Sequence, residues 1–175
     1  MGVNQKAKNF LKECMADALI NAMQTKELGK ITINEIAQQA GVNRSTWFRS
    51  FEEKTDALTF KLVVMWDRYA QEHKLAQRNK YSLDNAVDFF TFNYEVRELL
   101  KVIYNAGVKS CIYDAFYQIM MEKYNDTVHE RYAVKYYSYA LFGLLDEWIN
   151  RDFKESSMEI TRMFYDILHV TEVNL

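Results

Sequence analysis

Apolar positions recur at helical steps along almost the whole of this 175-residue chain. Over residues 4–26, Ala7, Phe10, Leu11, Cys14, Met15, Ala18, Leu19, Ala22 and Met23 fall three and four apart, the period of an amphipathic helix. The break "ELGK" follows, with Gly29 as its stop. "TINE" then sets Thr32 three residues before Glu35, a capping box in which each side chain bonds the other's backbone amide. Ile33, Ile36, Ala37 and Ala40 make the stripe of a short helix ending at Gly41, a residue suited to a left-handed stop. Asn43 can cap a third helix from Arg44 to about Ser50. Longer helical patterns cover 54–74, 84–93, the run "EVRELLKVIYNAG" up to Gly107, 109–124, 129–152 and 157–170, the last opened by Ser156 and Glu159. No segment alternates at the strand period. The pattern predicts an all-α fold of about nine helices, with a three-helix head over 1–53 and a helical body over 54–175.

The first three helices have the order of a helix-turn-helix, two short helices joined by a glycine-containing turn and braced by a longer one. In that motif the second short helix enters the DNA major groove through its N-terminal residues. A hairpin that only adds to the core is the alternative. The stretch "GVNRSTWFRSF", residues 41–51, favours the first reading, because it combines Trp47 and Phe51, one turn apart, with Arg44 and Arg49.

Composition sharpens this picture. The chain has no proline and five glycines, so little interrupts long helices. Residues 1–54 hold eight Lys/Arg against six Asp/Glu, a charge of +2, and the rest holds fourteen against eighteen, −4. A mildly basic head on an acidic body suits a polyanion met by the head alone. A hydrophobic content of 49% excludes disorder, and no run approaches the roughly 18 apolar residues of a membrane span. The charged first fifteen residues contain no apolar block of the kind a secretory signal needs, so a cytoplasmic protein is expected. Cys14 and Cys111 are far apart and sit among apolar neighbours, and His73, His129 and His169 show no metal spacing. There is no phosphate-binding glycine loop and no nucleophile elbow, and Asp146 and Glu147 are adjacent rather than paired across a helix face. No enzyme, metal or cofactor is expected.

Residues 31–54, "ITINEIAQQAGVNRSTWFRSFEEK", match a specific run of apolar, glycine, threonine, aromatic and lysine positions. In this run the chain resembles the TetR family of bacterial transcriptional regulators. The compact body and the "GLLDEWINRD" region are similar to the Firmicutes branch that includes relatives of the dihydroxyacetone kinase regulator. Beyond residue 60 the resemblance rests on helix number, length and order. It implies DNA contacts at Thr32, Asn43, Arg44, Ser45, Thr46, Phe48, Arg49, Ser50 and Lys54. Arg44 would reach guanine O6 and N7 with two hydrogen bonds, a phosphate contact being the alternative. Ser45, Thr46 and the free amides of the first turn suit phosphate. Lys54 resembles the family's phosphate clamp, with plain solvated surface as the other reading. Trp47 stands at a buried apolar position. Three residues or pairs depart from the pattern: Phe48 replaces a tyrosine whose hydroxyl meets phosphate, Glu27 replaces a common glycine, and Glu52 and Glu53 place negative charge beside the DNA face.

All twelve tyrosines follow residue 68. The resemblance implies that the middle helices bind a small-molecule effector, with Trp66, Tyr69, Phe89, Phe90, Tyr94, Tyr113, Phe116 and Tyr117 as candidate lining. Aromatic residues at helical spacing are also ordinary core. The segment 133–149, "AVKYYSYALFGLLDEWI", is apolar on nearly all sides and therefore needs cover on two sides. Family members dimerise through their last two helices, which makes Tyr137, Leu141, Leu144, Trp148, Met163, Phe164 and Ile167 the expected interface. The combined expectation is a homodimeric regulator, a repressor by resemblance, that binds a palindromic duplex operator and responds to a small molecule. The rival is a TetR-like co-regulator that works through a protein partner and has lost specific DNA contacts. A small-molecule enzyme or carrier is a more distant alternative.

Overall fold

The computed structural model describes residues 3–75, 84–122 and 127–173. Among these are nine α-helices and no strand: α1 (Val3–Met23), α2 (Ile33–Gln39), α3 (Arg44–Phe48), α4 (Lys54–Glu72), α5 (Asp84–Glu95), α6 (Arg97–Asn105), α7 (Ser110–Met121), α8 (Val128–Asn150) and α9 (Ser157–Val173). A 3-10 turn at Leu28–Lys30 joins α1 to α2. None of the described helices is long and apolar enough to cross a membrane.

The short helices start where their caps dictate. The Glu35 amide donates to Thr32 Oγ1 at 3.2 Å, and the Thr32 amide donates to Glu35 Oε2 at 2.8 Å, which closes the expected box. Gly41, at φ +66°, follows the α2 C-cap in the left-handed region, where a side chain would be strained. Asn43 Oδ1 accepts the Ser45 amide at 3.1 Å and opens α3. Ser156 and Glu159 cap α9 in the same way. An equivalent pair, Thr127 with Glu130, opens α8, so that helix begins one residue earlier than its apolar pattern predicts.

Two expected helices are shorter. The pattern over 4–26 ends as helix at Met23, and the Thr25 and Lys26 amides turn back to the Ala22 carbonyl. The third helix stops at Phe48, where Ser50 and Phe51 both donate to the Trp47 carbonyl. The apolar stripe of α1 is also not buried along its length. Met15, Ala18 and Leu19 are enclosed, whereas Phe10 and Leu11 are exposed.

Chain contacts divide the molecule into two units. The first comprises residues 1–65 with 102–115, so it includes the head, the start of α4, the end of α6 and part of α7. Here α1 packs on α2 and α2 on α3, around Met15, Leu19, Ile31, Ile36, Trp47, Leu58 and Leu62. Ile103 and Ile112 are buried in the same unit, and Thr59 Oγ1 donates to the Cys111 carbonyl at 3.2 Å. Burial pushes the Cys111 thiol up to about 12, with Asp114 adding to the effect, so it packs as an inert hydrophobe. The second unit comprises residues 66–101 and 116–175. Helix α5 lies along α9, and Phe90 contacts Trp148 and Phe164 at centroid distances of 6.2 and 5.8 Å.

Candidate nucleic-acid interface

Helix α3 is only five residues long, so its position depends on side chains rather than on helical propensity. Trp47 is 0% exposed, and its ring meets Phe51 at 5.2 Å, which in turn meets Phe60 at 5.8 Å. The Lys12 ammonium lies 5.3 Å from the centroids of both phenylalanines, a cation–π contact that covers this wedge. Trp47 Nε1 is buried with no hydrogen-bond partner among the described residues. The indole therefore anchors by packing alone and bears the cost of an unmet donor.

The opposite side of α3 is polar and open. Arg44, Ser45, Phe48 and Arg49 are exposed, and Thr46 and Ser50 are half-buried. Ser45 Oγ also donates to Asn43 Oδ1 at 3.2 Å, Arg49 Nη2 donates to Thr46 Oγ1 at 3.3 Å, and Ser50 Oγ donates to the Thr46 carbonyl at 2.8 Å. Phe48 is 56% exposed, with the Arg44 guanidinium 5.2 Å from its ring centroid. The ring thus acts as a platform for the arginine, a function a tyrosine hydroxyl is not needed for. Thr32 lies at the start of α2, its hydroxyl engaged with Glu35.

Lys54 opens α4, half-buried, and its ammonium donates to the Leu28 carbonyl at 2.6 Å. This lysine therefore ties the turn after α1 to the first residue after the α3 loop, and one of its three protons is already committed. Sequence reasoning missed the tether because the two residues are 26 positions apart. It also missed the ion pair between Lys26 and Glu35, which links the end of α1 to the α2 cap. That pair, reinforced by the Thr32 amide and hydroxyl, holds the Glu35 carboxyl down at about 2.

The candidate effector residues do not all lie in one unit. Trp66, Tyr69, Phe89, Phe90, Tyr94, Phe116 and Tyr117 belong to the second, and Tyr113 to the first. Trp66 meets Tyr69, Phe92 and Phe89 at 5.9, 5.3 and 6.4 Å, and Phe89 meets Phe116 at 4.9 Å. Tyr69 donates to the buried Asp88 carboxylate at 3.3 Å and stacks on His73 at 3.9 Å. Tyr94 is stacked on Trp148 at 5.8 Å and lies under the Arg97 guanidinium at 4.4 Å.

Of the candidate interface residues, Tyr137, Met163 and Ile167 are exposed, and Leu141, Leu144 and Phe164 are half-buried. Trp148 is 0% exposed within its own subunit, and its Nε1 donates to the Glu155 carbonyl at 2.9 Å. Its place is the core of one chain. The sequence reading did not place Tyr132, Tyr136 or Tyr139 in the interface, yet on α8 Tyr132 is 76% exposed and Tyr136 and Tyr139 are similarly open.

A family model for the transcriptional regulator C-terminal region of TetR proteins matches residues 80–170, more than half of the chain. The chain belongs to the TetR family of transcriptional regulators. A crystallographic TetR transcriptional regulator from Rhodococcus sp. RHA1 has the same fold, with a TM-score of 0.53 over 90% of this chain and 94% of that one. At 19% identity, that likeness concerns the fold alone. No curated protein matches the chain. The TetR assignment therefore comes from the C-terminal half, independently of the head residues in which the resemblance was first visible. It reaches the family and does not extend to a branch within it.

Proposed function

We propose that this TetR-family chain is a homodimeric repressor whose head, residues 1–53, binds one half of a palindromic operator in the major groove. The observation that carries this reading is the two-sided character of α3. Its apolar side is closed by Trp47 and Phe51, while Arg44, Ser45 and Arg49 are held open on a rigid cap. Arg44 reads a base edge, while Ser45, Thr46, Arg49, Ser50 and one free Lys54 proton meet phosphates. The aromatic cluster around Trp66, Tyr69 and Phe89 is the proposed effector region, and the exposed apolar side chains of α8 and α9 form the proposed dimer contact. Two copies in two-fold relation would read half-sites about 34–36 Å apart or a multiple of that.

Binding to duplexes from the DNA flanking its gene, measured at several salt concentrations, tests this reading. A steep salt dependence with sequence preference of at least about 10³-fold supports it. Equal affinity for every duplex overturns it. A co-regulator reading, acting through a protein partner, has its own observation: the Lys54 ammonium is engaged with Leu28, and Glu52 and Glu53 are exposed beside α3. Weak, sequence-blind DNA binding by an intact dimer is the result that would favour it.

A further inference from the structure

The first unit contains an open cleft of about 580 Å³, lined by Met23 to Gly29 and by Val102, Asn105 and Ala106. Its volume is within the range of small-molecule sites. Two helices end there, α1 at Met23 and α6 at Asn105, and neither has a basic residue in its last turn. The carbonyls of Met23, Gln24, Thr25, Asn105 and Ala106 accept no backbone hydrogen bond among the described residues. Each helix C-terminus carries a partial negative charge of about half a unit. The ionic side chains on the lining pair off, Lys26 with Glu35 and Glu27 with Lys30 at 3.0 Å. What remains is the field of two helix ends above a mixed lining, in which Gln24, Thr25 and Asn105 stand beside the apolar Met23, Leu28, Val102 and Ala106.

From this we infer that the cleft is a binding site for a small amphipathic organic cation, an alkylamine or diamine, separate from the aromatic cluster of the second unit. The ammonium meets the terminal carbonyls, and the alkyl chain lies along Met23, Leu28, Val102 and Ala106. Leu28, which lines the cleft, is also the residue that holds the Lys54 ammonium. Occupancy therefore reaches the DNA-facing surface through one hydrogen bond. The alkyl chain packed along Leu28 bears on the residue whose carbonyl positions the Lys54 ammonium.

Hexylamine, hexan-1-ol and hexanoate, titrated into the isotope-labelled full chain and followed by amide NMR, test the site. Hexylamine is expected to shift the amides of residues 23–29 and 102–106, and Lys54, with a dissociation constant on the order of 1 mM. The alcohol should bind at least tenfold more weakly, and the carboxylate more weakly still. Ala106→Leu, which fills the cleft, should weaken hexylamine at least tenfold, and Val102→Met provides the same reading if that variant does not fold. Equal shifts with all three probes overturn the inference, as do shifts centred on 128–150 or an unchanged affinity in both variants. None of these outcomes depends on operator binding, so the inference and the DNA reading fail separately.

Discussion

Helices α3 and α8 both carry aromatic residues beside charged ones, but they use them in opposite ways. In α3 the large ring of Trp47 is turned inward, and apart from Phe48 its open side carries polar groups. In α8 Trp148 is turned inward, yet Tyr132, Tyr136, Tyr137 and Tyr139 are left outside. A polar surface with two guanidinium groups suits a hydrated, charged ligand such as duplex DNA. An outward row of tyrosines suits protein, since tyrosine is enriched at interfaces, where an apolar ring and a hydroxyl are both used. The same residue types therefore indicate different partners according to which side of the helix is closed.

The largest effect should come from Trp47→Ala, which removes the only fully buried side chain of α3. A loss of about 3–5 kcal/mol is expected, read as a fall in thermal midpoint by circular dichroism. Trp47→Phe should cost much less, because it also removes the unmet indole N–H. If the two variants are equally damaged, packing is not what positions α3.

Replacing Met163 and Ile167 by glutamate should next convert the proposed dimer to monomer in analytical ultracentrifugation at micromolar concentration. Subunit helicity should change little, since both side chains are exposed. An unchanged sedimentation coefficient would move the interface elsewhere, with the Tyr132–Tyr136–Tyr139 side of α8 as the next surface to alter.

Arg44→Ala in the head should relax sequence preference by about 1–3 kcal/mol, whereas Lys54→Ala at the start of α4 should weaken all duplexes alike. Because Lys54 also holds Leu28, its loss should lower head stability by roughly 1–3 kcal/mol, and Arg44→Ala should not. Identical profiles for the two variants would remove the distinction between base reading and clamping.

The smallest effect is a pH dependence. The folded Glu35 carboxyl titrates near 2, below the ordinary 4.5, through Lys26 and Thr32. A depressed folded value gives stability that is present above about 4.5 and lost as pH falls toward 2, because the unfolded chain takes up the proton first. Glu35→Gln should flatten that part of the stability curve in acid titration monitored by fluorescence. A curve that keeps its slope would assign the acid sensitivity to other carboxylates.

Much of the head was legible in local sequence. The Thr32–Glu35 box, the Gly41 stop and the Asn43 cap involve residues two or three apart, and the bonds they predict are the bonds formed. The inward place of Trp47 was implied by the family resemblance, and the side chain is buried. The Lys54–Leu28 tether, the Lys26–Glu35 pair and the Lys12 cover over Phe51 were not legible, since each joins residues brought together only by chain folding. In the body, apolar density along 133–149 announced a helix needing cover on two sides, but not which side the subunit itself would cover.

By itself the sequence determined the helical class, the order of the helices and the chemistry of the segment proposed to meet DNA, because caps and 3.6-residue stripes act over a few residues. Only the tertiary structure decided which aromatic rings are closed in, that Phe48 lies beneath Arg44, and that two helix ends meet over one cleft. Burial and convergence depend on what a distant part of the chain brings to a surface, and no local pattern carries that information.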